Sequence, residues 1–176
     1  MKKTKKACAV LLAVLSVLLL TSAFAGKNKN NNNPNNPNNV RWQTIVGNIT
    51  VSPNDAVGGI LPGTTPWSTV GGSARVNLAT GDVSFDVVGL VLNGGNATGT
   101  PDGVDQVEGS LVCNAGQGNP TIFTTTPVPL DAQGDADFTG KFATIPGTCG
   151  NPLFLIRIAP DADPNQHWIA TGAVRQ

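Results

Sequence analysis

Few side chains in this sequence could do chemistry, and their spacing is sparse. The sole histidine, His167, could serve as a base for a nucleophile only beside a serine such as Ser110 and an acid. No nucleophile-elbow motif surrounds any serine, and the chain has no tyrosine. A lone histidine next to Trp168 reads first as a strand-end side chain. Paired carboxylates for hydrolysis could come from Asp86, Glu108 and Asp137. Each occupies an outward position of an alternating run, where acids ordinarily face water.

Asp161, Asp163 and Asn165 have the D-x-D-x-N spacing that presents hard oxygens to calcium. An EF-hand would continue with glycine and later glutamate, whereas Gln166 and Gly172 stand there. Asp131, Asp135 and Asp137 could share such a site, and an Asp/Pro turn is the plainer reading. Trp42, Trp67 and Trp168 could stack on a sugar or could simply anchor a core. Asn48-Ile49-Thr50 and Asn96-Ala97-Thr98 are glycosylation sequons, relevant only in a host with that machinery. No residue is therefore assigned as catalytic. No cofactor is expected, calcium at the Asp161 loop being the one ion to consider.

What must position these groups begins with an address. Lys2, Lys3, Lys5 and Lys6 precede an apolar run over residues 7–20, and Thr21-Ser22-Ala23-Phe24-Ala25 follows. A basic start, an apolar centre and a small-x-small site make a Sec-type signal peptide over residues 1–25, cleaved after Ala25. The run is short for a membrane-spanning helix, so no transmembrane span is expected in the mature chain. The expected location is secreted or periplasmic, in a bacterium. Residues 26–39 (GKNKNNNNPNNPNN) bury nothing apolar and read as a disordered Asn/Pro-rich linker.

Cys8 leaves with the signal, and Cys113 and Cys149 remain. An even pair in an oxidising compartment predicts a disulfide. It would tie the strand-like VEGSLVC to the apolar run in CGNPLFLIRIA, with a Pro/Thr/Asp-rich excursion held between. The whole chain is formally neutral, with 11 basic and 11 acidic residues. From Val40 onward five basic residues (Arg41, Arg75, Lys141, Arg157, Arg175) face eleven acidic ones, a balance of −6. No basic patch for nucleic acid or anionic lipid exists in such a domain.

Residues 40–176 suit one domain, and their patterning is β. Ala74, Val76 and Leu78 alternate with polar neighbours, a turn at Ala79-Thr80-Gly81-Asp82 follows, and Val83, Phe85 and Val87 alternate again. Arg41–Val51 reads as a long first strand kinked at Gly47, and Gly89–Leu92 as a central strand. Val107, Gly109, Leu111 and Cys113 point one way, and Glu108, Ser110 and Val112 the other. Thr121–Thr126 and Pro127–Leu130 suit edge strands, because proline cannot donate to a ladder. Ala136–Phe142, Leu153–Ala159 and His167–Val174 complete the set. The expected fold is all-β: an antiparallel β-sandwich or small barrel of about eight strands with one disulfide.

Gly72, Ala74, Gly81 and Gly89-Leu90 in GSARVNLATGDVSFDVVGL resemble the opening of CHRD (chordin-type) domains, found in chordin and in secreted bacterial proteins. The likeness spans this hairpin. Where that family continues with a His-Ile-His-Gly-like segment, this chain has Val107–Cys113. The resemblance implies a secreted β-domain and brings no catalytic residue. The layout of leader, linker and β-domain also resembles uncharacterised secreted bacterial proteins. The reading is thus a non-enzymatic binding, matrix or surface-associated module, with extracellular matrix or glycan as candidate partners. A small secreted hydrolase working through its acids is the alternative. A calcium-stabilised or carbohydrate-binding module is another. The loops Asn93–Gly103 and Asp161–Asn165 are the expected places for function.

Overall fold

Alternating residues become strands along most of the domain. The computed structural model describes residues 36–49, 55–160, 162–163 and 165–175. The signal peptide, most of the Asn/Pro linker and Asp161 lie outside the described residues. Among the described residues the strands are β1 (Asn39–Gly47), β2 (Trp67–Ser68), β3 (Gly71–Asn77), β4 (Asp82–Val88), β5 (Val91–Leu92), β6 (Gln106–Cys113), β7 (Thr121–Thr124), β8 (Val128–Pro129), β9 (Ala136–Lys141), β10 (Leu153–Ile158) and β11 (Trp168–Arg175). No helix forms among them.

One antiparallel sheet runs β7-β6-β10-β11-β1-β3-β4-β9, with β8 also on β6; β2 and β5 make a separate two-stranded sheet. The main sheet curls until its two edges meet. Phe123 of β7 reaches Phe142, just past β9, with ring centroids 6.1 Å apart, and β8 touches β9. No ladder pairs those edges, so side chains close the seam. The fold is all-β and sandwich-like, with the expected disulfide formed between Cys113 and Cys149.

The β3–β4 hairpin shows how local chemistry sets register. Asn77 Oδ1 accepts the backbone N–H groups of Ala79 (3.0 Å) and Thr80 (3.1 Å), and Gly81 takes φ +72° to reverse the chain. Val76 then faces Val83, Ala74 faces Phe85 and Gly72 faces Val87, all toward the core. Inside the curl an aromatic chain runs Trp42, Phe154, Phe85, Phe138, with successive centroids 5.5, 5.8 and 5.8 Å apart. Gly109 makes room for it: a Cβ there would lie 2.7 Å from Phe154 and 2.8 Å from Phe85. Gly109→Ala is therefore expected to cost about 1–3 kcal/mol, the usual range for overpacking, read from a denaturant midpoint. An unchanged midpoint would mean the rings yield freely.

Two expected strands change. The first strand stops at Gly47 instead of bending there. The absence of a Cβ on Gly47 lets the backbone of Trp67 approach, whose O would otherwise lie 2.3 Å from it. Thr50 and Val51 of the expected strand lie outside the described residues. The chain then crosses to β2, with Trp67 N–H donating to Asn48 O at 2.7 Å. Gly89–Leu92 is no central strand: Val91–Leu92 pairs only with β2, while Leu90 N–H donates to Gly134 O at 2.8 Å. Its apolar character comes from Leu90 and Leu92 plugging the core from outside the main sheet.

A second apolar layer lies on the opposite face of β6, β10 and β11. Val112, Leu155 and Trp168 pack there under Val57 and Ile60 of a strap. Trp168 N–H donates to Leu61 O at 3.0 Å and Trp168 O accepts Gly63 N–H at 2.8 Å, fastening the strap to β11. Strand β6 is consequently buried on both faces. The outward residues of that strand are not solvated, contrary to expectation.

Candidate functional site

Beneath and beside the strap sits a row of polar groups. Register places Arg157 of β10 opposite Glu108 of β6 on one side and Trp168 of β11 on the other. Leu155 lies opposite Ser110. Arg157 Nη1 stands 3.4 Å from Glu108 Oε1 and donates to Ser110 Oγ at 3.3 Å. Its Nε donates to Gln166 O at 2.9 Å, and its Nη2 donates to Gln166 Oε1. Ser110 Oγ and Thr124 Oγ1 share a bond at 3.1 Å, extending the row to β7.

Glu108 is the uneasy member. It is only 3% exposed, and Oε1 has the ion pair but no hydrogen bond. Burial raises its pKa above the ordinary value, and Arg157 offsets part of that. Burial likewise lowers the pKa of Arg157, opposed by Glu108 and then Asp163. Next to this pair, Asp163 Oδ2 faces His167 Nδ1 at 2.5 Å and accepts His167 N–H at 2.9 Å; its Oδ1 accepts Asn165 N–H at 2.9 Å. Burial opposes ionisation of Asp163, yet these bonds together hold its pKa below the usual value.

Acid, base, cation and hydroxyl thus gather in one neighbourhood, but as a brace. Ser110 is completely buried and already accepts from Arg157, so it offers no nucleophile to solvent. Asp163 and His167 close the turn leading into β11. The sequence signal for this network was Arg157, a lone charge inside the apolar run of β10. A charge there needs a buried partner.

The remaining predicted groups are dispersed. Asp86 and Asp137 face each other across β4 and β9, both exposed, with Ser73 Oγ donating to Asp86 Oδ1 at 2.6 Å. Glu108 is therefore separate from them in the sheet order. Asp131 Oδ1 accepts the N–H groups of Gln133 and Asp135, each at 2.9 Å, and Asp135 Oδ1 accepts Gly89 N–H at 2.8 Å. Their carboxylates serve turns. Among the described residues no three His, Cys, Asp or Glu side chains are grouped to hold a metal. All three tryptophans are buried and split between layers: Trp42 and Trp67 belong to the inner core, Trp168 to the outer one. They form no common surface platform. The Asn93–Gly103 loop folds back on β5 through Leu92 N–H to Thr100 O at 3.0 Å and Gly99 N–H to Leu92 O at 2.9 Å.

What sequence reasoning missed is an open cleft of about 420 Å³, lined by Trp42, Ala115, Asn151, Pro152, Leu153, Gly172 and Arg175. The disulfide frames it. Ala115 lies two residues past Cys113 and Asn151 two past Cys149. The two segments are also joined by Asn114 N–H donating to Gly150 O at 2.5 Å. Asn114 and Asn151 both adopt left-handed backbone, φ +56° and +41°, which non-glycine residues enter at a cost. Trp42 lies over Gly172, where a Cβ would meet its ring at 2.5 Å. The only available signal was the asparagine following closely on each cysteine.

No protein-family model matches this chain, and neither a curated protein nor a solved structure shows significant similarity to it.

Proposed function

We propose that this protein is an exported binding module, matrix- or surface-associated, that holds a ligand in the disulfide-framed cleft and performs no catalysis. The observation that carries this reading is the division of labour among polar side chains. Those able to move protons (Glu108, Asp163 and His167) brace β6, β10 and the turn before β11. The cleft combines Trp42, Ala115, Pro152 and Leu153 with Asn151 and Arg175, and among the described residues no carboxylate or imidazole side chain lines it. Apolar side chains beside a few convergent polar groups suit binding. The signal-like leader and the Asn/Pro segment support presentation outside the cytoplasm on a spacer, and a chain passing through an oxidising compartment would close its disulfide there. The likeness to CHRD-type domains rests on β3 and β4 and supports no particular ligand.

Amide NMR of the oxidised mature protein tests the reading. The titrants are small carboxylates, amines and oligosaccharides, and the same samples are assayed on glycoside and ester substrates. Shifts centred on Ala115, Asn151, Leu153 and Gly172, without turnover, are expected. Turnover lost on Glu108→Gln or His167→Ala would instead support the hydrolase alternative.

A further inference from the structure

The cleft also carries information about its ligand, on the reading that it is a binding site. Arg175 is exposed and lines it, directly opposite Trp42 in the β1–β11 register. The ion pairs among the described residues are Lys141–Asp82, Arg157–Glu108 and His167–Asp163, so Arg175 makes none there. Among the described residues no acidic side chain lines the cleft with it. From Val40 onward the chain has five cations against eleven anions. A guanidinium with no ion pair among the described residues is therefore an exception to the surrounding field. Guanidinium pairs with carboxylates in a forked geometry, two N–H groups to two oxygens. Asn151 adds a carboxamide at the same rim, while Trp42, Ala115, Pro152 and Leu153 offer carbon.

We infer that the cleft takes a small carboxylate bearing an apolar group, its carboxylate on Arg175 and its apolar part against Leu153. Two sources share that chemistry: a free organic acid, and the C-terminal residue of a peptide. An ion pair at an exposed guanidinium weakens as salt rises, whereas the apolar contact does not.

The probes are hexanoate, N-acetyl-L-leucine and its neutral analogue N-acetyl-L-leucinamide, titrated into the oxidised protein at low and high salt with amide NMR detection. At least one carboxylate should bind with shifts at Gly172 and Asn151, and N-acetyl-L-leucinamide should bind at least tenfold more weakly than N-acetyl-L-leucine where the latter binds. Arg175→Gln should erase the preference for the acid while the protein keeps its melting temperature. Binding of hexanoate alone assigns a free acid, and binding of N-acetyl-L-leucine assigns a peptide terminus. Equal binding of acid and amide would overturn the carboxylate inference and leave the binding cleft standing. No shift at the cleft with any probe would overturn the inference; the cleft reading itself falls only if the amines and oligosaccharides also leave those residues unmoved.

Discussion

Arg157→Met should destabilise the protein by about 3–5 kcal/mol at neutral pH, the usual cost of leaving a buried charge without its partner. Methionine fills much of the space of the arginine stem, so the loss reports the charge more than the packing. The abandoned group is Glu108, already short of a hydrogen bond at Oε1. Its folded pKa is raised by burial even with Arg157 present. The stability linked to such a group is fully present below the unfolded value near 4.5 and is lost as pH rises through the folded value. Without Arg157 the folded pKa climbs further, so the variant loses more than the wild type on the way to neutral pH. The gap between the two should therefore narrow as the solution is acidified. Asp82 and Asp163 act oppositely: their folded pKa values are lowered, so their contribution is lost as pH falls below 3.8. Glu108→Gln should be milder than Arg157→Met, because the arginine keeps its bonds to Gln166 and Ser110 and its attraction to Asp163. Urea unfolding of both variants across pH checks this. An Arg157→Met deficit independent of pH would assign the loss to packing and refute the electrostatic account.

Cys113→Ser is expected to cost about 4 kcal/mol under oxidising conditions, from the unfolded-state restriction of a loop of this length. The bond closes a separation of 36 residues. Cys149→Ser should lose a similar amount while disturbing the buried end of β6 less, since Cys113 is the more enclosed partner. Either change should also abolish ligand shifts at the cleft, whose walls follow directly on the two cysteines. Reduction of the wild type by dithiothreitol should reproduce both effects. An unchanged melt after reduction would show that the clasp contributes nothing to stability.

Much of the architecture was readable in advance. The β3–β4 hairpin announced itself through Val76, Val83, Phe85 and the Asn77–Gly81 turn, because strand alternation and turn chemistry are properties of neighbouring residues. The inward set of β6, with Leu111 and Cys113, followed from the same period of two. A pair of cysteines outside the leader left one partner for each. The prolines that shorten β8 to two residues also followed from local chemistry.

The outer face was another matter. Alternation says that Glu108, Ser110 and Val112 share a side, and it cannot say whether water or protein covers that side. The path of the strap over Val112, Leu155 and Trp168 decides it. Pairing of Glu108 with Arg157 depends on β10 settling beside β6, a non-local choice made by the packing of the whole sheet. The cleft is less legible still, since Trp42 and Arg175 come from opposite ends of the domain and meet only because β1 pairs with β11. The amino-acid sequence by itself determined strand-forming stretches, their turns, their two faces and the one possible disulfide among the cysteines after the leader, all set by contacts within a few residues. Tertiary structure alone decided which face is covered, which charges are paired and where an open surface remains, because burial depends on chain segments remote in sequence.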